Sequence, residues 1–136
     1  MNEWSAVEAV RSFVAALRST RDRAIAQVGG AQSVKDIVHM AHRRAIPRDA
    51  GLQDGTCYSV HGIGCWMADP EGREVDVDID DDDHEIFDAW RITRYLGSTS
   101  REVSKSRDDI LMACRDLVNS GELIEPRKNW FRLPHP

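Results

Sequence analysis

His61 and Cys65 stand at the two ends of a glycine-containing turn in the stretch VHGIGCW. A thiolate beside an imidazole is a usable nucleophile, and Asp76 or Asp78 on a neighbouring strand could orient the imidazole. One hypothesis is therefore a small cysteine-dependent enzyme that uses Cys65, His61 and Asp76. Alternatively, Cys65 is a small buried apolar residue and His61 a hydrogen-bonded turn residue. We favour this second interpretation and predict no catalytic residue.

Two metal-binding patterns can be tested on the same stretch and on the acidic run that follows it. Cys57, His61 and Cys65 offer three ligands at a spacing that does not match the usual four-ligand zinc sites. A calcium-binding EF-hand loop needs Gly at its sixth position and Glu at its twelfth. Loops that begin at Asp76 or Asp78 have neither residue type at those positions. We therefore predict no metal and no cofactor.

The acidic residues of the chain are concentrated in one segment. Between Asp69 and Asp88 there are eleven acidic residues and one basic residue, a charge of −10 in a chain whose formal net charge is −5. Within REVDVDID, apolar and acidic residues alternate, which is typical of a strand with one apolar and one acidic face. Neighbouring carboxylates on one strand face, about 6.7 Å apart, repel each other by about 0.6 kcal/mol in water.

Four explanations of this acidic face remain open. Arginines from elsewhere in the chain, whose remaining residues sum to +5, could neutralise it. An irregular Mg²⁺ or Ca²⁺ site, a catalytic carboxylate or a basic protein partner could also account for it. A basic partner explains the greatest excess of charge, because complementary charge accelerates association and rejects wrong partners. The predicted partner-binding residues are Glu74, Asp76, Asp78, Asp80, Asp81, Asp82 and Asp83.

The elements that must position these residues predict a single α+β domain over residues 1–136. Residues 1–47 form the helical N-terminal part and residues 56–80 a central antiparallel β-hairpin sheet. Residues 84–136 supply further helices and a C-terminal hairpin. The pattern from Trp4 to Leu17 indicates the first amphipathic helix, with Ser5-x-x-Glu8 as its capping box and Gly29-Gly30 after it. A second helix is predicted over 33–44.

The central strands are predicted at 56–61, 65–68 and 73–79, with a type I turn at Asp69-Pro70-Glu71-Gly72. After them, Asp82-x-x-Glu85 is expected to cap a helix that contains Ile86, Phe87, Trp90 and Ile92 and ends at Gly97.

The last third of the chain predicts a helix over 107–119, capped by Ser106, followed by a hairpin of ELIE and WFRL around residues 126–129. This arrangement resembles the recognition helix and wing of a winged helix-turn-helix domain. A nucleic-acid-binding regulator is therefore a further alternative. However, Arg107 and Arg115 on the helix are outnumbered by aspartates, whereas phosphate binding needs a basic surface.

Composition limits the possible locations and partners. No window contains the roughly 20 apolar residues that a membrane span needs, and the N-terminus lacks a signal-peptide pattern. Three cysteines in such a chain are expected to be reduced thiols. We therefore expect a cytoplasmic protein that binds neither membranes nor nucleic acid.

Three short motifs together carry a resemblance to a protein family. They are His61 to Cys65 (His-Gly-x-Gly-Cys), Val75 to Asp78 (Val-Asp-x-Asp) and Phe87 to Arg91 (Phe-Asp-x-Trp-Arg). This combination resembles an uncharacterised bacterial domain family similar to proteins encoded beside polymorphic toxins. The resemblance implies an immunity protein that neutralises a cognate toxin, and it implies no catalytic residues. We expect the acidic face to occlude a basic substrate site on that toxin.

Overall fold

A computed structural model describes residues 5–99 and 106–134 of the chain. Its helices are α1 (Ala6–Gln27), α2 (Val34–His42), α3 (Ala89–Thr99) and α4 (Arg107–Asn119). Its strands are β1 (Asp49–Gly51), β2 (Cys57–His61), β3 (Gly64–Ala68), β4 (Glu74–Ile79), β5 (Glu85–Asp88), β6 (Ile124–Arg127) and β7 (Trp130–Arg132). The predicted α+β class is confirmed.

Serine side chains begin three of the helices. Ser5 Oγ accepts a hydrogen bond from the Glu8 N–H, which confirms the predicted cap of α1. Ser106 Oγ accepts one from the Asp109 N–H and confirms the start of α4. Such caps satisfy N–H groups that have no partner within the helix. Trp4, which was expected to contribute to the first helix, lies outside the described residues.

The strands form one seven-stranded antiparallel sheet in the order β1-β2-β3-β4-β5-β7-β6. Hairpins join β2 to β3 and β3 to β4, and the Gly72 N–H donates to the Asp69 carbonyl in the predicted turn between the latter two. The sequence did not predict β1, a three-residue strand at the edge of the sheet.

The main core lies between α1 and α2 and one face of the sheet. Val75 and Val77 of β4 are fully buried on this face. The Phe13 ring of α1 lies 5.1 Å from the Phe87 ring of β5 and 5.7 Å from the Tyr95 ring of α3, measured between centroids. These ring contacts hold β5 and α3 against α1, and β5 in turn pairs with β4, so that α3 is positioned beside the acidic face.

The predicted helix that starts near Asp82 is wrong in its first part. Residues 85–88 form β5, which pairs with β4 through Asp78 and Ile86 and with β7 through Phe87 and Phe131. The helix begins only at Ala89, and it continues past Gly97 to Thr99. The partners on both sides of β5 outweigh its local helix signal.

The C-terminal hairpin is not a separate wing. β6 pairs with β7, and β7 pairs with β5, so that the hairpin completes the main sheet. The helix α4 packs against α1 and α3. The winged-helix resemblance therefore receives no support from the position of the hairpin.

Candidate functional site

The two faces of β4 differ as the alternation predicts. Glu74, Asp76 and Asp78 lie on the face opposite the main core. The register places Asp76 beside Trp66 and Asp78 beside Gly64 of β3. Because directly opposed residues of antiparallel strands share a face, these carboxylates and Trp66 line the same side of the sheet.

Arginines of α3 cover this row of carboxylates. Arg91 Nη2 lies 2.9 Å from Asp78 Oδ2, Nη1 lies 3.1 Å from Asp88 Oδ1, and Nε lies 3.6 Å from Asp76 Oδ2. Arg94 Nη2 lies 2.8 Å from Glu74 Oε2. The predicted acidic face is therefore not open to solvent at Asp76, which is only 6% exposed. Two internal arginines therefore pair with Glu74, Asp76 and Asp78 and offset most of the charge of this row.

Sequence reasoning did not identify these two arginines as partners of the row. Arg91 and Arg94 are three residues apart, so they lie on the same side of α3. The same guanidinium groups lie over tryptophans. Arg91 is 5.0 Å from the Trp130 ring centre, and Arg94 is 4.8 Å from that of Trp90. The i, i+3 arginine pair directly after an acidic strand was the available signal.

His61 reaches Asp76 across a glycine. His61 Nε2 lies 3.3 Å from Asp76 Oδ1, although Gly64 of β3 separates their two strands. A Cβ atom at Gly64 would overlap the Asp78 side chain and lie 2.5 Å from the Val77 carbonyl oxygen. Burial raises the pKa of Asp76, while Arg91 and His61 act in the opposite direction. The predicted pairing of His61 with a carboxylate of β4 is thus present.

Cys65 does not join this pair. Its side chain is completely buried in the main core, on the face of the sheet opposite His61. Burial raises the pKa of the Cys65 thiol to about 12. A buried thiol of this kind is not a nucleophile at neutral pH. The geometry therefore does not support a cysteine-dependent enzyme that uses Cys65 and His61.

The remaining acidic residues lie in the turn between β4 and β5. Asp80 Oδ1 accepts hydrogen bonds from the Asp82 and His84 N–H groups, at 3.0 and 2.8 Å. Asp83 adopts a left-handed backbone conformation with φ 63°, which closes the turn. Asp80 therefore shapes the turn, whereas Asp81, Asp82 and Asp83 are exposed at its tip. We call residues 80–84 the acidic turn.

Three side chains of the acidic turn have the chemistry of metal ligands. Asp80, Asp82 and His84 each offer one ligand atom, and these atoms lie within 4.8 Å of one another. Carboxylate and imidazole ligands suit Zn²⁺ or Mn²⁺. One oxygen of Asp80 is already engaged by two backbone N–H groups, so the hydrogen bonds of the turn explain this cluster without an ion.

A second turn lies beside the acidic turn. The Ile63 carbonyl in the β2–β3 turn accepts a hydrogen bond from the Ile79 N–H at the end of β4, at 3.1 Å. The Ile63 side chain is 63% exposed, which is unusual for a large aliphatic residue. One end of the sheet thus presents an exposed isoleucine next to exposed carboxylates.

Within the described ranges, no helix has both the length and the hydropathy that crossing a membrane requires.

Comparison with known proteins places the chain in one family. No curated protein and no solved structure matches it. The profile of a domain of unknown function, DUF6896, matches residues 6–132. The match extends from the first turn of α1 to the end of β7 and includes all three motifs singled out in the sequence. The chain therefore belongs to the DUF6896 family.

Proposed function

We propose that this protein is an immunity protein that binds a basic toxin through the tip of the acidic turn and blocks the toxin's substrate site. The observation that carries the proposal is the difference between two sets of carboxylates. Arg91 and Arg94 form ion pairs with the row on β4, but no side chain in the described parts of the chain forms an ion pair with Asp81 or Asp82. We therefore place the contact with the partner at three exposed members of the predicted set: Asp81, Asp82 and Asp83, of which Asp83 faces only His39.

The physical argument rests on the electrostatics of the turn. Adjacent exposed carboxylates repel one another, and a partner with a basic surface relieves that repulsion on binding. Charge of this kind also steers diffusional encounter and can raise association rates to about 10⁸–10⁹ M⁻¹s⁻¹ at low salt, as a general upper range. A toxin that acts on nucleic acid or nucleotides carries a basic substrate groove, which is the surface that the turn complements.

The test compares two variants that lose the same charge at different places. One carries Asp81→Asn, Asp82→Asn and Asp83→Asn. The control carries Asp108→Asn, Asp109→Asn and Asp116→Asn on the exposed face of α4. The partner is identified by co-purification with the tagged wild-type protein from the producing cells, and its Kd for each protein is then measured at low and moderate salt.

We expect the turn variant to bind at least about 10-fold more weakly than wild type, mainly through slower association, and to lose most of the salt dependence. The α4 variant should bind like wild type. Cells that express the partner should survive when the wild-type protein or the α4 variant is co-expressed. They should not survive when the turn variant is co-expressed. The proposal would be refuted if the two variants bound the partner with the same affinity and the same salt dependence.

A further inference from the structure

A small cleft lies beside the acidic turn, between α2 and the β2–β3 turn. Its volume is about 150 Å³, comparable to apolar cavities that hold a benzene ring. The lining residues are Val38, His39, His42, Ile63, Ile79, Asp80, Asp81 and Asp83. Aliphatic groups and carboxylates therefore border the same small space.

The floor and one wall of the cleft are aliphatic. Val38 of α2 and Ile79 of β4 are buried, with 2% and 5% of their surface exposed. Ile63 forms the wall and is largely exposed. Its position is fixed because its carbonyl bonds to the Ile79 N–H and because Gly62, with φ 52°, supplies the tight turn. A preformed wall of this kind lowers the entropic cost of binding a side chain.

The rim of the cleft is acidic. Asp80, Asp81 and Asp83 stand on the side of the acidic turn, and His39 and His42 stand on the side of α2. His39 Nε2 lies 3.6 Å from Asp83 Oδ1, so it faces one of these carboxylates. In the described residues, no side chain pairs with Asp81. The rim therefore has an excess of acceptors over cationic donors.

We propose that this cleft receives a single lysine or arginine side chain of the partner. Such side chains combine a methylene stem with a cationic head, and they bury the stem along apolar surface while the head stays among polar groups. The stem would lie against Ile63, Val38 and Ile79. The head would lie between Asp81 and Asp83. The partner's role as a toxin rests on the proposed function, but the chemistry of the cleft does not.

The size of the cleft limits its occupant to one side chain, and the acidic rim selects a cationic one. A cleft of this volume accepts one extended aliphatic chain and excludes a helix or strand of a partner. An uncharged aliphatic side chain would leave Asp81 without a cationic partner. A bare divalent cation would leave Ile63 exposed. These two alternatives give different results in the following experiment.

The experiment titrates the isolated protein with N-acetyl-lysinamide and follows the Ile63 and Val38 methyl signals by NMR. N-acetyl-norleucinamide serves as the uncharged control, because its stem is similar and lacks the ammonium group. Mg²⁺ alone tests the cation alternative. The same titrations are repeated on Asp81→Asn/Asp83→Asn and, as a matched control, on Asp108→Asn/Asp109→Asn.

We expect both methyl signals to shift saturably on addition of the lysine compound. The Kd of the lysine compound should be at least about 5-fold lower than that of the norleucine compound. Asp81→Asn/Asp83→Asn should weaken binding of the lysine compound to the level of norleucine, and the α4 variant should leave it unchanged. Absence of saturable shifts, equal affinity for both compounds, or shifts with Mg²⁺ alone would overturn the cleft assignment. A cleft that binds lysine in a protein whose turn variant retains full partner affinity would instead refute the proposed function.

Discussion

Arg91 of α3 and Asp78 of β4 form an ion pair in which Nη2 and Oδ2 are 2.9 Å apart. The same guanidinium contacts Asp76 and Asp88, and 11% of its side-chain surface is exposed. One cation therefore joins α3 to two neighbouring strands. The His61–Asp76 contact adds β2 to this network. Residues from all three sequence motifs meet at this network, and we assign it to the stability of the fold.

Replacing Arg91 with methionine should lower the free energy of unfolding by about 3 kcal/mol, because it leaves partly buried carboxylates without their cation. Urea denaturation at neutral pH measures the change. Arg11→Met is the matched control, since Arg11 pairs with Glu8 and Glu122 at the surface, where ion pairs contribute little. If the two variants lose the same stability, the network does not have the role assigned to it.

Gly64→Ala should destabilise the protein by about 1–3 kcal/mol through overpacking. The added methyl group would press on the Val77 backbone and on the Asp78 side chain. Gly51→Ala is the control, because a Cβ atom there has no neighbour within 4 Å. Thermal unfolding monitored by circular dichroism compares the two. A similar melting temperature for both variants would contradict the close packing described at Gly64.

The stability of the protein should depend on pH through Asp76. Burial raises the pKa of this carboxyl group in the folded state, so it binds a proton where the unfolded chain has released its own. The charged group thus destabilises the fold as the pH rises above about 3.9, the value for an unfolded-chain aspartate. The free energy of unfolding of Asp76→Asn, relative to wild type, should therefore increase as the pH rises from the unfolded-state pKa through the raised folded-state pKa of Asp76.

Asp54 provides the control of opposite sign for this pH series. The Thr56 N–H donates to Asp54 Oδ1 and lowers the pKa of Asp54 in the folded state. Its stabilising contribution is present above the unfolded-state pKa and is lost as the pH falls through the folded-state pKa. The relative stability of Asp54→Asn should thus decrease as the pH rises. Parallel trends in the two variants would contradict the assignment at Asp76.

The three cysteines should react with a thiol reagent at very different rates. Cys57 is partly exposed, whereas Cys65 and Cys114 are buried, and burial raises the pKa of both thiols to about 12. At about pH 7.5, Cys57 should react quickly, whereas Cys65 and Cys114 should react only after denaturation. Cys57→Ser should remove the fast phase. Rapid labelling of Cys65 in the folded protein would instead support the hypothesis of a cysteine-dependent enzyme.

Local sequence patterns were sufficient where the interacting residues lie close together in the sequence. The serine caps at Ser5 and Ser106 and the hairpin around Asp69 involve residues a few positions apart, so their chemistry can be read directly from the sequence. The alternation in β4 likewise indicated which residues face the core. The exposure of the other face could not be read in this way, because it depends on Arg91, which is contributed by a different element.

The helix prediction failed at residues 82–88 because the partners of this segment lie far away in the sequence. Asp82-x-x-Glu85 has the composition of a helix cap, but Glu85 has a different partner, because its Oε1 accepts a hydrogen bond from the Val34 N–H at the start of α2, at 2.6 Å. Pairing with β4 and β7 then holds the segment extended. Short apolar segments such as Ile86-Phe87 are ambiguous until their neighbours are known.

The place of β7 between β5 and β6 has a consequence for biosynthesis. At a general rate of about 5–20 residues per second, β7 leaves the ribosome several seconds after β5. During that interval the Phe87 edge of β5 has no strand beside it, and an unpaired edge invites aggregation. Nascent chains arrested after α4 should therefore be cleaved by protease near Phe87, whereas released chains should resist.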